Sequence, residues 1–366
     1  MHFIIEKTIL LKPLQKLNSL LSINIENPIL NNILLKVQSK YLFLISTNLE
    51  IELVSKIPCQ KNYKNGSITV PGKRLLNIIR SFPNDAMIEI KIQGNYIKIF
   101  YQNIFFIISI SESKNFPKFK TEDNIIEIFV SQKKIRDIIH NTQFSMAKQD
   151  VRNYLNGLYL EIKKNKISAI TTDGYRMSIS TVKIEQSIQN HSMIIPRKTI
   201  TELIKILKET DDTFKMKVGK KMLQIYTKEY IISSKLIDHD FPDYKSILID
   251  NFDQTIIINR NKLQSALNRA YVLSSNKSKG VKLTFNNQIC TVSFHNEYEE
   301  KIQERFRINY SNKIIELTMN IHYIMEVINV IEENDIKILL NQSTNSIYIK
   351  NINEYYSTYI IMPLII

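Results

Sequence analysis

VPGKRLLNII (70–79) returns as IPRKTITELI (195–204), with its proline 125 residues further along the chain. Each copy has a short β-branched run, then a proline suited to the first turn of a helix, then apolar residues at helical spacing. The pattern predicts a strand that leads directly into an amphipathic helix, present at least twice.

Two further pairs of segments have the same offset of 125 residues. They are ISTNLEI (45–51) with ITTDGYR (170–176), and FPKF (116–119) with FPDY (241–244). Separate anchors at one common distance indicate internal duplication, and a period of this size indicates repeated domains rather than a solenoid. The sequence therefore predicts two tandem domains of one fold, which close near residues 120 and 248.

A third, more diverged copy follows. IIINRNKLQSALNRA (256–270) matches IFVSQKKIRDIIHNT (128–142) in form, and IELTMNIHYIMEVINVI (315–331) is again a strand followed by a helix. Alternating strands follow each helix, so each domain has two strand–helix units and antiparallel strands. Helices on one face of antiparallel sheets make an α+β fold. The predicted domains are 1–122, 123–250 and 251–366.

The charge balance of the 366 residues is basic. The 49 Lys and Arg residues exceed the 35 Asp and Glu residues, which gives a net charge of +14. A basic protein favours polyanions such as nucleic acid. The chain is also saturated with Ile, Asn and Lys, so a compositional drift explains the charge as well, and both explanations stay open.

The sequence has no sign of export or membrane insertion. The longest apolar runs, such as YIIMPLII (359–366), are far shorter than a membrane span. The first ten residues carry Glu6 and Lys7 where a secretory signal would be uninterrupted. The two cysteines, Cys59 and Cys290, have no metal-ligand spacing and predict no disulfide framework. We expect a cytoplasmic protein that does not bind membranes.

The sequence contains none of the common catalytic motifs. There is no Walker-type glycine loop, no G-x-S-x-G and no HExxH. Acids such as Asp238, Asp240 and Asp243 belong to DHDFPDY (238–244), where turn and cap roles are routine. We therefore expect no enzyme activity, no metal and no cofactor; a metal-dependent nuclease is the alternative that these acids leave open.

The polar faces of the predicted helices carry basic residues. Opposite the apolar face of the helix at 197–208 lie Lys198, Lys205 and Lys208. Two interpretations are open: ordinary solvated helix faces, or a lining that meets phosphates without reading bases. The helix that starts near Ile321 departs from the pattern, because it has His322 and no Lys or Arg.

Five segments in order resemble the bacterial DNA polymerase III beta subunit, the β sliding clamp family, and the resemblance covers the whole chain. They are TQFSMAKQDVRNYLNG (142–157), TTDGYRM (171–177), IPRK (195–198), SKLID (234–238) with FPDY (241–244), and IIMPL (360–364). The resemblance implies a homodimeric ring of six domains, three from each chain, that encircles duplex DNA. The alternative, from composition alone, is an ordinary basic DNA-binding protein.

The resemblance also implies three sets of site residues and the partners of each. The head-to-tail dimer interface would use Phe106, Ile108, Val272 and Leu273. DNA contacts would come from Lys73, Gln149, Arg152, Asn153, Tyr154 and Lys198, to which the basic helix faces add Lys205 and Arg269. An apolar pocket between the second and third domains would hold peptides of the DNA polymerase III alpha subunit, the clamp loader and other proteins.

The pocket implied by the resemblance has thirteen residues and three departures from the family pattern. Tyr175 stands where a His is usual, Ser246 where an Arg is common, and Ile365 where a basic residue is frequent. These departures affect the polar rim. The pocket residues are Leu155, Thr172, Gly174, Tyr175, Arg176, Met177, Pro242, Ile247, Ser346, Ile360, Met362, Pro363 and Leu364.

Overall fold

The structure, a computed structural model, describes most of the chain. The described residues are 1–21, 24–59, 63–119, 126–249, 251–341, 346–352 and 356–364. They divide into two compact units, of which the first comprises Met1–Gln132 and Thr201–Leu236 and the second Lys133–Ile200 and Ile237–Ile366. Ile365, one of the three departures in the predicted pocket, lies outside the described residues.

Helices and strands follow the predicted order. The helices within the described residues are α1 (Lys7–Asn18), α2 (Gly72–Ser81), α3 (Gln132–His140), α4 (Arg197–Ile206), α5 (Arg260–Tyr271) and α6 (Ile321–Val330). The strands are β1 (His2–Glu6), β2 (Asn32–Gln38), β3 (Tyr41–Thr47), β4 (Ile51–Pro58), β5 (Gly66–Pro71), β6 (Met87–Gln93), β7 (Tyr96–Tyr101), β8 (Ile104–Ser109), β9 (Ser111–Glu112), β10 (Ile126–Ser131), β11 (Gly157–Thr172), β12 (Arg176–Pro196), β13 (Thr213–Val218), β14 (Met222–Tyr226), β15 (Tyr230–Lys235), β16 (Gln254–Asn259), β17 (Gly280–Asn286), β18 (Ile289–His295), β19 (Lys301–Arg307), β20 (Ile315–Asn320), β21 (Asp335–Leu340), β22 (Ile347–Asn351) and β23 (Ser357–Ile361). Each helix directly follows a strand, so the six predicted strand–helix units are confirmed.

The first unit contains two antiparallel sheets. Their strand orders are β1-β6-β7-β8 and β10-β13-β14-β15-β4-β3-β2-β5-β9. The longer sheet continues from the first predicted domain into the second, because β15 pairs with β4 through Ser234↔Ile51 and Tyr230↔Ser55. Backbone hydrogen bonds therefore tie the two repeats together.

The second unit has the same plan. Its sheets have the orders β11-β12-β23-β22-β21-β16 and β19-β18-β17-β20. Strand β12 of the second predicted domain pairs with β23 of the third, through Arg176↔Ile361 and Ser180↔Ser357. The predicted α+β class with antiparallel sheets is confirmed in both units.

Local sequence explains the hairpin of β2 and β3, which follows the first helix. Strands β2 and β3 alternate buried and less buried residues along their length, as a sheet with one face on a core requires. The two residues between them, Ser39 and Lys40, have φ angles of 48° and 64°. Two consecutive positive φ angles give the turn whose twist matches that of the flanking strands.

Helix α2 shows why the helices bury one face. It begins after Pro71 and ends before Phe82–Pro83, where the residue preceding a proline avoids helical geometry. Leu75 and Ile79 are 1% and 0% exposed, and they lie four residues apart on one face. The opposite face, with Lys73, is exposed.

The first residue of the first helix in each repeat holds the end of the second helix. Lys7 is 5% exposed, and its ammonium donates to the carbonyls of two residues at the end of α2. A cation is favourable at that end of a helix, where carbonyls lack partners. In the next two repeats the Gln132 amide oxygen accepts a backbone N–H just after α4, and the Arg260 guanidinium donates to carbonyls at and after the end of α6. Their partners are Arg80 O and Phe82 O for Lys7, Lys208 N for Gln132, and Ile328 O and Glu333 O for Arg260.

Candidate functional site

The turn between β11 and β12, Thr172 to Arg176, is built by its own side chains. The Thr172 hydroxyl donates to Arg176 O at 2.6 Å and accepts the Gly174 N–H at 3.1 Å. Asp173 Oδ1 accepts the N–H groups of Tyr175 and Arg176 at 3.0 and 3.2 Å. Gly174 has a φ of 92°, a conformation that favours glycine. Short-range chemistry of Thr, Asp and Gly thus sets this turn.

Arg176 is buried where the turn enters β12, with 9% of its surface exposed. Its guanidinium donates to Asp173 Oδ2 at 3.0 Å and to the carbonyl of Phe144 at 2.7 Å. It also donates to the Glu326 carboxylate on α6 and lies 4.2 Å from the centre of the Tyr323 ring. Breaking a buried ion pair is costly, because one charge is left without a partner. Arg176 therefore fastens α6 to the turn.

The segment that follows β23 is held beside this turn. Met362 N–H donates to the carbonyl of Tyr175 at 3.0 Å, and Leu364 N–H donates to the carbonyl of Thr318 at 2.8 Å. Pro363 between them has no N–H to satisfy. The tail residues Met362 to Leu364 are thus fixed between the turn and β20, with side chains of Met362 and Leu364 that are 46% and 39% exposed.

An apolar floor lies under the turn. Met177 and Ile360 are 6% and 3% exposed and belong to one buried cluster with Ile170, Tyr244 and Tyr348. The predicted pocket residues fall into two groups by exposure. The buried ones are Leu155, Thr172, Arg176, Met177, Ser346 and Ile360, and the others are Gly174, Tyr175, Pro242, Ile247, Met362, Pro363 and Leu364.

A concave surface adjoins the tail. A cavity of about 870 Å³ is lined by Ser346, Met362, Pro363 and Leu364 together with residues of β17, β18, β20 and β21. Two exposed side chains of the predicted rim, Tyr175 at 64% and Met362 at 46%, belong to adjacent segments. Exposed methionine and aromatic side chains over an apolar floor can receive the side chains of a peptide.

The predicted DNA-contact loop lies next to the same turn. Arg152 donates through Nε and Nη2 to the two oxygens of Asp150, both at 3.0 Å. These bonds lower the pKa of Asp150 to about 2 and raise the pKa of Arg152. A side chain at Gly174 would meet the Arg152 guanidinium at 3.2 Å. Val151, at the tip of the loop, is 95% exposed.

The predicted DNA contacts on helices differ in their surroundings. Lys73 on α2 and Lys198 on α4 are exposed. Lys205 bonds Glu202 at 2.6 Å, whereas Arg269 on α5 makes a two-point ion pair with Glu304 of β19, at 2.6 and 2.5 Å. Acidic partners reduce the positive charge that these two residues offer to phosphate.

The predicted dimer residues lie on an edge strand and at a helix end. Phe106 and Ile108 are on β8, an edge strand, and Phe106 packs edge-to-face on Phe82 with 5.6 Å between ring centres. Val272, just after α5, is 79% exposed. Leu273 is partly buried against the core of the second unit. Ile108 is 7% exposed and contributes to a core.

Within the described residues, no group of His, Cys, Asp and Glu side chains could hold a metal ion. In the same part of the chain, no helix has the length and apolar character needed to cross a membrane.

Sequence reasoning missed the residues that bond or stack on the Arg176 guanidinium, two on α6 and one just after α3. They are Phe144, Tyr323 and Glu326. One signal was available, since Glu326 is the single acidic residue in the ten residues of α6. A lone charge on an otherwise apolar helix indicates a specific partner.

Comparison with known proteins identifies the family. Models of the DNA polymerase III beta subunit match in three parts: the N-terminal domain at residues 1–120, the central domain at 129–243 and the C-terminal domain at 245–365. The chain therefore belongs to the DNA polymerase III beta subunit family. Proteins of this family are non-catalytic processivity factors of replication, so the chain is not an enzyme.

The similar relatives carry the name beta sliding clamp. The clamp of Buchnera aphidicola subsp. Acyrthosiphon pisum is 37% identical over 364 residues, and that of Vibrio cholerae is 30% identical over 364 residues; both matches cover 100% of each chain. The crystal structure of the DNA polymerase III subunit beta from Pseudomonas aeruginosa has a TM-score of 0.96 at 31% identity, with 100% of each chain covered.

Proposed function

We propose that this protein works as a homodimeric ring that encircles duplex DNA without reading its sequence. It tethers the DNA polymerase III alpha subunit, the clamp loader and other proteins through a peptide pocket. The observation that supports this best is the pairing rule of the repeats, which provides two matching strand edges for a second copy. We place this activity in the cytoplasm.

Successive repeats are joined by equivalent strands. Strand β4 pairs with β15 through Ile51↔Ser234, and β12 pairs with β23 through Arg176↔Ile361. Ile51 and Arg176 are 125 residues apart, which is the offset of the repeat. One rule therefore describes both junctions. The strand that follows the Thr47 or Thr172 turn of one repeat (β4 or β12) pairs with the strand that ends the second sheet segment of the next repeat (β15 or β23).

Applied a third time, the rule pairs β19 of one copy with β8 of another. Among the described residues, each of these strands is at the edge of its sheet, and an open edge invites another strand. The residue pair Thr47↔Glu52, which closes the β3–β4 hairpin, is equivalent to the pair His295↔Lys301, which closes the β18–β19 hairpin. The register that follows sets Phe106 opposite Ile302 of the second copy. In a two-fold dimer this junction forms twice and closes the ring.

The helices support the same junction. Ser19, just after α1, donates to Glu202 of the next repeat at 2.6 Å. Val272 lies at the same distance from the start of its helix as Ser19, and Asn77 holds the position of Glu202. A cavity of about 610 Å³ is lined by Asn77 and Phe106, among others. Since Ser19 contacts Glu202, we expect Val272 of the second copy to contact Asn77 and to occupy that cavity.

Non-specific contact with DNA is supported by exposed basic side chains. We assign phosphate contacts to Lys73, Lys198, Lys205 and Arg269 and to the loop of Gln149, Arg152, Asn153 and Tyr154. Such contacts position a duplex and carry no sequence information. The exposed loop tip at Val151, 95% exposed, supports an approach of DNA to this segment.

Peptide tethering is supported by the apolar floor and rim beside the tail. The floor of Met177 and Ile360 suits apolar anchor side chains, and the half-exposed Met362 and Leu364 can adapt to different partners. Since Arg176 is engaged by Asp173 and Glu326, we assign it the shaping of the pocket. The peptide's polar contacts then fall to backbone groups and to the Tyr175 rim.

The test loads the protein onto nicked circular DNA with a clamp loader and then linearises the circle. A topological tether stays on the circle at high salt and leaves after linearisation. Binding that persists on linear DNA and falls with salt would instead identify an ordinary basic DNA-binding protein, and cleavage with Mg²⁺ would identify a nuclease. Val272→Asp should lose retention, whereas Ile314→Asp, also exposed (62%) but outside the proposed junction and the DNA-contact loop, should keep it.

A further inference from the structure

The ion pair of Arg269 and Glu304 lies at the edge that we assign to the second copy. Arg269 on α5 donates to both oxygens of Glu304 on β19, at 2.6 and 2.5 Å. The side chains are 55% and 28% exposed. An exposed pair of this kind contributes little to stability, so its value must be judged in the assembled ring.

The two junctions within the chain show what happens at the equivalent positions. Between β12 and β23 the equivalent residues are Asn141, Ser180 and Ser357. Asn141 Nδ2 donates to Ser180 Oγ at 3.4 Å, and Ser180 and Ser357 hydroxyls are 2.9 Å apart. Ser180 is 2% exposed. Asn141, just after the first helix of its repeat, thus provides a hydrogen bond to the buried Ser180 hydroxyl on the strand.

The other internal junction repeats the arrangement with different residues. Lys16 lies 5.1 Å over the ring of Tyr230, and Ser55, which pairs with Tyr230, is 1% exposed. Glu304 holds the position of Ser55 and Ser180. When the ring closes, its carboxylate therefore becomes buried opposite Ile104 of the second copy.

The strand edge of the second copy that would face this carboxylate brings no cation. The segment NIFFIISI (103–110), which includes β8, has no Lys or Arg. The neighbouring Lys98 interacts with the rings of Phe100 and Phe105, and it pairs in register with Ile107, on the sheet face opposite Ile104. A buried carboxylate without a cation is costly, and Arg269 of its own subunit already supplies one.

We propose that Arg269 neutralises Glu304 within one subunit, so that the carboxylate can meet the apolar edge of β8 without a cation from that strand. This inference rests on the homodimer proposed above and deepens it. Arg269 is then a positioning residue of the subunit junction.

A double-mutant cycle on the dimer tests the proposal. The full-length chain is labelled, and the dimer dissociation constant is measured by fluorescence exchange for Arg269→Met, Glu304→Gln and the double variant. We expect Arg269→Met to weaken the dimer at least about tenfold, and Glu304→Gln to leave it within about threefold of the parent. The double variant should recover the parent value within about threefold. Arg305→Met, on the exposed face of β19, is the matched control.

Three results would overturn the proposal. Equal weakening by Glu304→Gln alone would mean that Glu304 has a partner in the second copy. A double variant as weak as Arg269→Met would mean that Arg269 acts without Glu304. A dissociation constant that rises with salt about tenfold more for the parent than for Glu304→Gln would show that Glu304 pairs with a cation across the junction. If the parent chain does not dimerise at any concentration, the homodimer itself fails and this inference falls with it.

Discussion

The turns at the two internal junctions have the same backbone and different side chains. Thr47 donates to Ile51 O at 2.9 Å and accepts the Leu49 N–H at 3.1 Å, which repeats the bonds of Thr172 in the other turn. Asn48 accepts two N–H groups, as Asp173 does. The segment after each junction is also held alike, since Lys235 N–H bonds Glu50 O at 2.9 Å and Met362 N–H bonds Tyr175 O at 3.0 Å.

The difference lies in the side chains that this shared backbone presents. At the first junction Ile51, Glu52 and Lys235 stand where the second has Arg176, Met177 and Met362. Burial raises the pKa of Glu52, and the N–H of Phe119 lowers it in part. A carboxyl and an ammonium cannot form an apolar floor and rim. Duplication thus supplied the scaffold twice, and a few substitutions confine the proposed peptide pocket to the second junction.

The largest expected effect comes from removing the charge that is special to the second junction. Arg176→Ile, which copies Ile51, leaves Asp173 and Glu326 without their cation. We expect the free energy of unfolding to fall by about 3 kcal/mol, measured by urea denaturation followed by circular dichroism. Ile51→Leu, which conserves volume, should change it by less than about 1.5 kcal/mol. Equal losses would mean that Arg176 serves only as packing.

Exchanging the equivalent rim residues Met362 and Lys235 should lower the affinity for peptide at the second junction and should not create peptide binding at the first. Met362→Lys copies Lys235, and because Met362 is 46% exposed the fold should tolerate it. The affinity for a clamp-binding peptide of the polymerase alpha subunit should fall at least about tenfold, or about 1.4 kcal/mol, by fluorescence anisotropy. Lys235→Met at the other junction should leave the affinity unchanged. A loss in both variants would argue against a pocket confined to the tail.

The turn glycine should have a smaller effect. Gly174→Ala places a side chain at a φ of 92° and within 3.2 Å of the Arg152 guanidinium. We expect a loss of about 1 kcal/mol in the free energy of unfolding. Leu49 already adopts a φ of 73°, so Leu49→Gly should change stability by less than about 0.5 kcal/mol. A neutral Gly174→Ala would show that the loop of Arg152 moves freely.

The smallest effect concerns an ion pair that only the second junction has. Ile25 stands 125 residues before Asp150. Because Arg152 lowers the pKa of Asp150 from 3.8 to about 2, its contribution to stability is complete above pH 3.8 and is lost as the pH falls through about 2. Carbon NMR should find Asp150 largely ionised at about pH 3. Arg152→Ala should raise its midpoint toward 3.8 but only part of the way, because the backbone N–H of residue 152 still bonds Asp150; an unchanged midpoint would contradict the pairing.

Much of the fold was predictable because its signals are local and repeated. The strand–proline–helix pattern at Pro71 and Pro196 and the Thr-Asp-Gly turn each depend on neighbours within a few residues. The 125-residue offset, which is a property of the sequence alone, already makes the two turns equivalent. The predicted third copy and the α+β class are confirmed on the same grounds.

What sequence reasoning could not supply is long-range pairing. Arg176 and Glu326 are 150 residues apart, and Arg269 and Glu304 are 35 apart. No local pattern links either pair, so the protein partners of the Arg176 guanidinium could not be predicted from the sequence. The roles of the DNA, pocket and dimer residues stay predictions.

Sheets that run from one repeat into the next have a consequence for engineering. The duplicated unit is one repeat, but each long sheet combines the first half of one repeat with the second half of the next. The boundaries of the sheets therefore lie about half a domain away from the boundaries of the repeats. A graft of one repeat from a related clamp would bare β4 or β12 on one side and β15 or β23 on the other. Chimeras should therefore exchange whole sheets, with crossover points placed inside the repeats.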